Sequence, residues 1–478
     1  MERWTMMANR AKQRVLRRPR TVAAFVCGAA IALAGLVSWS CQTAPAVPRG
    51  SMAGAPPREP DVRVRIKSGV EKVRLEGPEE LLVGFAAKAT KLMPTPVVVE
   101  ATPSGLNLTD RWGKVFELAT ESPVEISAAG EGSARKPARI KVDGVAFPGR
   151  LRLMPKGGPA PMAQLSGGAV VLASPQQPES AARGKMDVIE VVPLETYLVG
   201  VLPSELPGNF HEAAFHAQAV CARTYALHER ERSTRGGKDF DLEAGELDQA
   251  YNGGPELAIA VRAVQDTRGV VLTWNGGLLR TYYSSTCGGR SASASEVWPV
   301  GEGFEFNAAA PLQGRPREHA CQASPLYTWT VKRPLDELST RIREWGKANG
   351  HPVRHIWTVA RLEVESRNQT GRPSRYTLID SRKKEVAISA ELLRVACNYS
   401  GGGSGAAAAL PKIARDTRVN SGDIEIEVQG KTAIIRGRGF GHGVGMCQYC
   451  IDAMGDRGDS WREMLPRFYP GSKLERAY

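Results

Sequence analysis

The sequence predicts an α+β fold, and three observations predict it. Short alternating apolar runs fill the region from Val62 to about Glu190. One long helical pattern follows, from Glu212 to Arg232. Beyond it, further helical stretches are interspersed with turn-linked strand pairs. Fifty glycines and 32 prolines in 478 residues favour many turns over a helical bundle. Hydrophobic residues make up 42%, enough for a substantial core.

Taken in order, the chain opens with a basic leader. The first twenty residues carry a net +6, and residues 21–40 (TVAAFVCGAAIALAGLVSWS) carry no charge. A basic flank before an apolar run reads as an export signal or a retained membrane anchor, which leaves the rest outside the cytoplasm. Ser38-Trp39-Ser40 offers small residues for cleavage, and Cys41 is a candidate for lipidation. Localisation to the cell envelope, in periplasm or wall, follows from this reading. Residues 41–60 are a tether. Residues 61–190 form a β-rich accessory region, with runs such as Val62–Ile66, Leu81–Phe85, Ile140–Val145 and Val170–Leu172.

Residues 191–478 form the second domain. Asn209 stands three residues before Glu212, with the spacing of a helix-capping pair. Asn275-Gly276 between Val270–Trp274 and Leu278–Tyr283 predicts a hairpin with a tight primed turn. Residues 335–348 read as a helix, and 354–387 as strands turning at Gly371. Ser400 to Ala409 is a low-complexity loop. A second hairpin turns at Gln429-Gly430 and runs into Gly437-Arg-Gly-Phe-Gly-His442-Gly-Val-Gly445. Alternating glycines remove side chains, so a partner can approach the backbone, or they supply unusual dihedrals.

The formal charge is +13, of which the leader carries +6. The remaining +7 is dispersed, without the clustered basic face of a nucleic-acid binder. An anionic polymer such as a cell wall suits it as well as a plain basic surface. Eight cysteines are present, and an exported chain permits disulfides. Cys287 with Cys321 is the favoured pair. Cys447-Gln-Tyr-Cys450 has no second CxxC or CxxH facing it, so a local disulfide or two buried thiols is expected rather than zinc. Cys221 lies on an apolar helix face.

Three segments concentrate polar groups. The first is Tyr197-Leu-Val-Gly-Val-Leu-Pro-Ser-Glu205-Leu-Pro207 with the helix bearing His216, Gln218 and Arg223. Glu205 sits between two prolines, where a rigid carboxyl beside apolar residues has its acid form favoured; a helix-end carboxylate bonded to backbone N–H groups is the alternative. The second is Tyr283-Ser284-Ser285-Thr286-Cys287-Gly-Gly, which suits a polar ligand or an ordinary turn. No GxSxG elbow is present. The third is the glycine loop with Gly441, His442 and Gly443, followed by Gln448. It is neither a dinucleotide fingerprint nor a P-loop.

Together these segments resemble the SpoIID/LytB-like family. The family pattern YLxGVxPxEMP reads YLVGVLPSELP here, EALKAQAVAARTYA reads EAAFHAQAVCARTYA, and GRGxGHGVGMSQxGA reads GRGFGHGVGMCQYC; YYSSTCGG matches its strand end. The resemblance covers about residues 60–478. It implies a peptidoglycan lytic transglycosylase that cleaves the N-acetylmuramic acid to N-acetylglucosamine linkage of glycan strands, with peptide-free strands preferred, and forms a 1,6-anhydro sugar. By this resemblance Glu205 is the catalytic acid. Arg223, His216, Tyr283, Ser284, Ser285, Gly441, His442, Gly443 and Gln448 become substrate-binding candidates. His216 replaces the family's lysine. Some members hold a metal between the second helix and the hairpin, but Asp239–Tyr251 offers neither Cys nor His, so neither metal nor cofactor is expected. The alternative reading is a non-catalytic, glycan-binding modifier of a cell-wall amidase. A surface adhesin or scaffold using the β-rich region is a third; truncation to residues 190–478 separates it, since an enzyme should keep its activity without residues 60–185.

Overall fold

Between Asp61 and Pro193 the alternating runs become two sheets. The computed structural model describes residues 58–85, 89–129, 138–156, 184–245, 248–253, 256–401 and 410–478. The leader, Cys41, the tether up to residue 57, the run at 170–172 and most of the low-complexity loop lie outside these residues. Among the described residues, no helix is long and apolar enough to cross a membrane. Residues Glu59–Tyr478 form one compact unit.

The first sheet has seven strands, in the order 242–243, 61–70, 185–193, 150–156, 124–128, 80–85 and 89–94. The second has six, in the order 145–147, 140–142, 72–76, 97–102, 105–109 and 115–119. Alternate residues of both, such as Val73, Leu75, Val97 and Val99 against Leu81, Val83, Ile126 and Leu153, are buried in one apolar cluster. That cluster continues without a break through the helices that follow, to Phe468 and Tyr469. The β-rich region and the helices after it therefore share a core.

The strand Asp61–Val70 is the seam. It pairs antiparallel with Lys185–Pro193 and parallel with Leu242–Glu243. Asp241 accepts hydrogen bonds from the Arg63 backbone N–H at 2.9 Å and from its guanidinium at 2.6 Å. Arg65 bonds to Asp187 at 3.0 Å and also to Glu243. These ion pairs fix the start of the loop that reaches Ala250.

Helix Leu194–Glu205 buries Leu194, Tyr197, Leu198, Val201 and Leu202, the stripe expected of a helix lying on a core. Its interior Gly200 is required by Tyr251, because an added Cβ would stand 2.7 Å from that ring. Pro203 and Pro207 bracket the helix end. Helix Glu212–Arg235 follows and is buried on nearly every side from Ala214 to Glu229. Its cap is His211, whose Nδ1 accepts the Ala213 N–H at 3.2 Å, and not the expected Asn209. The apolar side chains settle the start of the helix, and His211 stands at the position from which a side chain reaches that N–H.

The hairpin at Asn275-Gly276 forms, with φ of 50° and 79° at its turn, as a primed turn demands. Its second strand is shorter than expected. Pairing stops after Leu278, and the chain leaves to run beside Met446–Cys447 as the parallel pair Tyr283–Ser284. Helix Leu335–Ala348 matches its expected bounds. With two three-stranded sheets it packs a second apolar cluster, from Trp329 to Ile435.

The candidate functional site

Glu205 is the last residue of its helix. Its Oε1 accepts the Ala250 N–H at 2.7 Å and the Tyr283 hydroxyl at 3.2 Å. Its Oε2 accepts from Gln448 Nε2 at 3.4 Å. The three partners come from distant parts of the chain: the loop after the long helix, the short parallel strand, and the start of helix Gln448–Asp456.

A second row of bonds fixes the first. Gln249 Nε2 donates to the Tyr283 hydroxyl at 3.2 Å and to the Ala222 carbonyl at 3.2 Å. Gln249 Oε1 accepts the Tyr197 hydroxyl at 3.1 Å. Because the Tyr283 oxygen accepts from Gln249, its one proton points to Glu205. Burial pushes the Glu205 carboxyl above the ordinary carboxylate range, and its bonds from Ala250, Tyr283 and Gln448 oppose that rise. Oε1 already has two donors, whereas Oε2 has one long contact. The proton of the acid form belongs on Oε2.

His442 braces this arrangement from behind. Its Nδ1 accepts the Val444 N–H at 3.0 Å, and its ring meets Trp298 edge to face with centroids 4.8 Å apart. Burial pulls its pKa down to about 4, so it is neutral at pH 7 and works as a fixed hydrogen-bonding group. The glycines around it have a structural cause. Gly439, Gly441, Gly443 and Gly445 take φ of 80°, 94°, 78° and 70°. A Cβ at Gly445 would lie 2.0 Å from the Tyr282 carbonyl oxygen, and one at Gly441 would lie 3.0 Å from Ser284 Cβ. What approaches this backbone is the protein's own 282–286 strand. The loop binds that strand into place, and with it Tyr283.

The other expected site residues are placed elsewhere. Arg223 is fully buried. Its guanidinium pairs with Glu195 at 2.7 and 2.9 Å, and its remaining donors go to Thr267 and to the Val264 and Val270 carbonyls. With every nitrogen engaged inside the core, it has no donor for a sugar. His216 bonds to the Glu212 carbonyl at 2.8 Å and to Asp266, at the end of helix Ala258–Asp266, at 3.0 Å, so both ring nitrogens are engaged within the protein. Ser284 is buried, and its backbone pairs with Cys447. The Ser285 carbonyl accepts the Tyr449 N–H at 3.1 Å. Of the expected residues, Tyr283 and Gln448 touch Glu205. Gln249 and Ala250 carried no advance signal, since the loop 239–251 has no periodicity and showed only its carboxylates.

The cysteines correct a sequence expectation. Cys287 and Cys321 do approach each other, but they are free thiols with sulfurs 3.5 Å apart. Cys447 and Cys450 join them, and all four sulfurs lie within 4.8 Å of one another. The CxxC pair does face a second pair. That pair is made of two isolated cysteines brought together by the fold, which spacing alone does not reveal.

Fold and site together define a mixed α+β protein whose candidate site centres on the buried, hydrogen-bonded carboxyl group of Glu205. Residues 182–274 match the family model described as Stage II sporulation protein. An uncharacterized protein of Brachyspira hyodysenteriae is 26% identical over 291 residues, which cover 60% of this chain and 67% of that one. The Bacillus subtilis protein named amidase enhancer is 26% identical over 312 residues, 58% of this chain but 40% of the relative. Stage II sporulation protein D of Bacillus subtilis is 24% identical over 310 residues, 60% of this chain and 76% of that one. Over residues 182–274, and at 24–26% identity over a longer span, the chain is similar to proteins of the SpoIID/LytB-like family.

Proposed function

We propose that this protein acts on the bacterial cell wall, as a lytic transglycosylase of peptidoglycan glycan strands. The observation that carries the proposal is the setting of Glu205, buried enough to hold a proton and oriented through Oε1 so that Oε2 delivers it. As acid, Oε2 protonates the glycosidic oxygen leaving C1 of N-acetylmuramic acid. As carboxylate, the same group takes the proton from the C6 hydroxyl of that sugar, whose oxygen closes on C1. One carboxyl serves both steps, so no second carboxylate is required, unlike ordinary glycoside hydrolysis. The Tyr283, Ala250 and Gln448 bonds stabilise the carboxylate formed between the two steps. Export to the cell envelope, with the leader as signal or anchor, belongs to the same reading.

The similarity to a protein named amidase enhancer favours a second reading, in which the site binds glycan and assists a separate amidase. Mass spectrometry of denuded glycan strands incubated with the purified full chain decides between them. Products ending in 1,6-anhydro-N-acetylmuramic acid, lost in Glu205→Gln, support the lytic reaction. Reducing-end products mean hydrolysis. Bound but uncleaved strands favour the assisting role.

A further inference from the structure

We infer that Cys287, Cys321, Cys447 and Cys450 form a structural site for one thiophilic, tetrahedral divalent metal ion, with zinc foremost. The site stands whether or not Glu205 is an acid.

The geometry points to it. All four side chains are buried, and their sulfurs lie within 4.8 Å of one another. Cys287 Sγ is 3.5 Å from Cys321 Sγ and 3.9 Å from Cys450 Sγ. A zinc–sulfur bond of about 2.3 Å sets the edge of a tetrahedron at about 3.8 Å. A disulfide needs about 2.05 Å. The measured separations match the tetrahedron and are well over a disulfide length. All-sulfur tetrahedral ligand sets select zinc or iron among the biological metals.

The surroundings fit thiolates. The Cys287 backbone N–H points at Cys447 Sγ at 3.3 Å, and His319 Nδ1 lies 3.2 Å from Cys287 Sγ; such donors hold ligating sulfurs in place. Cys447 caps helix Gln448–Asp456 and Cys450 lies in its first turn, the end of a helix that favours negative charge. Gly288 and Gly289, with φ of 65° and 83°, turn the chain sharply after Cys287. The buried guanidinium of Arg372 donates to the Arg290 carbonyl at 3.3 Å, which brings a positive charge beside this turn. On binding, each thiol gives its proton to solvent and its sulfur to the metal, with no change of oxidation state.

The site also has a position. It ties the strand that carries Tyr283 to the strand and helix that carry Gln448, so the ion would lock these two of the three partners of Glu205 in register.

The test uses the purified full chain. Elemental analysis after dialysis against a chelator is expected to find one zinc, or one iron, per chain. The intact mass should show no hydrogens lost to disulfides. A mercurial reagent should release the ion as it titrates four otherwise unreactive thiols. Cobalt exchanged into the site should give the intense absorption of tetrahedral sulfur ligation. Cys287→Ser and Cys450→Ser should each lower metal to a trace, while Glu205→Gln keeps it. No metal with a mass lower by two or four hydrogens would overturn the site in favour of disulfides. No metal with free thiols, or metal retained in both serine variants, would also overturn it. The wild-type measurements decide even if a serine variant fails to fold.

Discussion

The Tyr283 hydroxyl lies 3.2 Å from Glu205 Oε1 and 3.2 Å from Gln249 Nε2, so it donates to the carboxyl and accepts from the amide. Tyr283→Phe removes a donor to the charged form of Glu205. A hydrogen bond to a charged group contributes about 1.5–3 kcal/mol, so cleavage should slow by roughly 10- to 100-fold. The same change should raise the Glu205 pKa further. The alkaline limb of the rate profile should then move to higher pH. A slower enzyme with an unmoved limb would mean that Tyr283 acts only through packing.

Glu205→Gln is expected to lower the rate of glycan cleavage by at least about 100-fold, with glycan affinity nearly unchanged. In the wild type, the reaction requires the protonated acid, so cleavage should fall as pH rises through the elevated pKa of Glu205. Single-turnover rates across pH, with strand binding measured separately, check both statements.

Glu190 gives a stability prediction independent of chemistry. It accepts the Gly149 N–H at 2.7 Å, and burial pushes its pKa up to about 7. Unfolded, it titrates near the ordinary value of about 4.3. Between those values the folded chain binds the extra proton, so stability is greatest below the lower one. It is lost as pH rises through the upper one, by about 3 kcal/mol. Glu190→Gln should abolish this slope. Its melting temperature should exceed that of the wild type at pH 8 and not at pH 4. Parallel thermal melts of the two proteins read this directly.

Arg223→Ala should destabilise the protein by about 3–5 kcal/mol, because it leaves Glu195 buried without its partner. A glycan-binding arginine would instead give normal melting and a raised KM. Urea unfolding beside steady-state kinetics separates the two.

The β-rich region is expected to be indispensable. Removing residues 1–184 deletes the strand Asp61–Val70 and the Arg63 and Arg65 ion pairs that hold the 241–243 segment. Residues 185–478 alone should therefore aggregate or show reduced helix content by circular dichroism. A soluble, active fragment would instead mark the region as a true accessory domain.

Much of the fold was legible because it is written in local periodicity. The helix at 335–348, the Asn275-Gly276 turn and the alternating strands before Glu190 needed no long-range information. Glu205 was legible for the same reason, since two flanking prolines and an apolar run mark it within a few residues. Tyr283 and Gln448 came from segments dense in polar groups. Arg223 misled, because a basic residue within a recognisable stretch looks the same whether its partner is a ligand or Glu195. The cysteine cluster was invisible for a related reason. Two of its members are single residues 34 positions apart, and only the fold makes them neighbours of Cys447 and Cys450.

The carboxyl group of Glu205 is laid down early in the chain, but Gln448 is joined near its end. A polypeptide interrupted anywhere between them has the acid without its setting. Tyr469 adds to this dependence, since its hydroxyl bonds to the Tyr282 carbonyl at 2.6 Å and so secures the residue next to Tyr283. The competence of the site is thus a property of the finished chain. A truncated or half-made chain that lacks Gln448 and Tyr469 lacks part of the setting of Glu205.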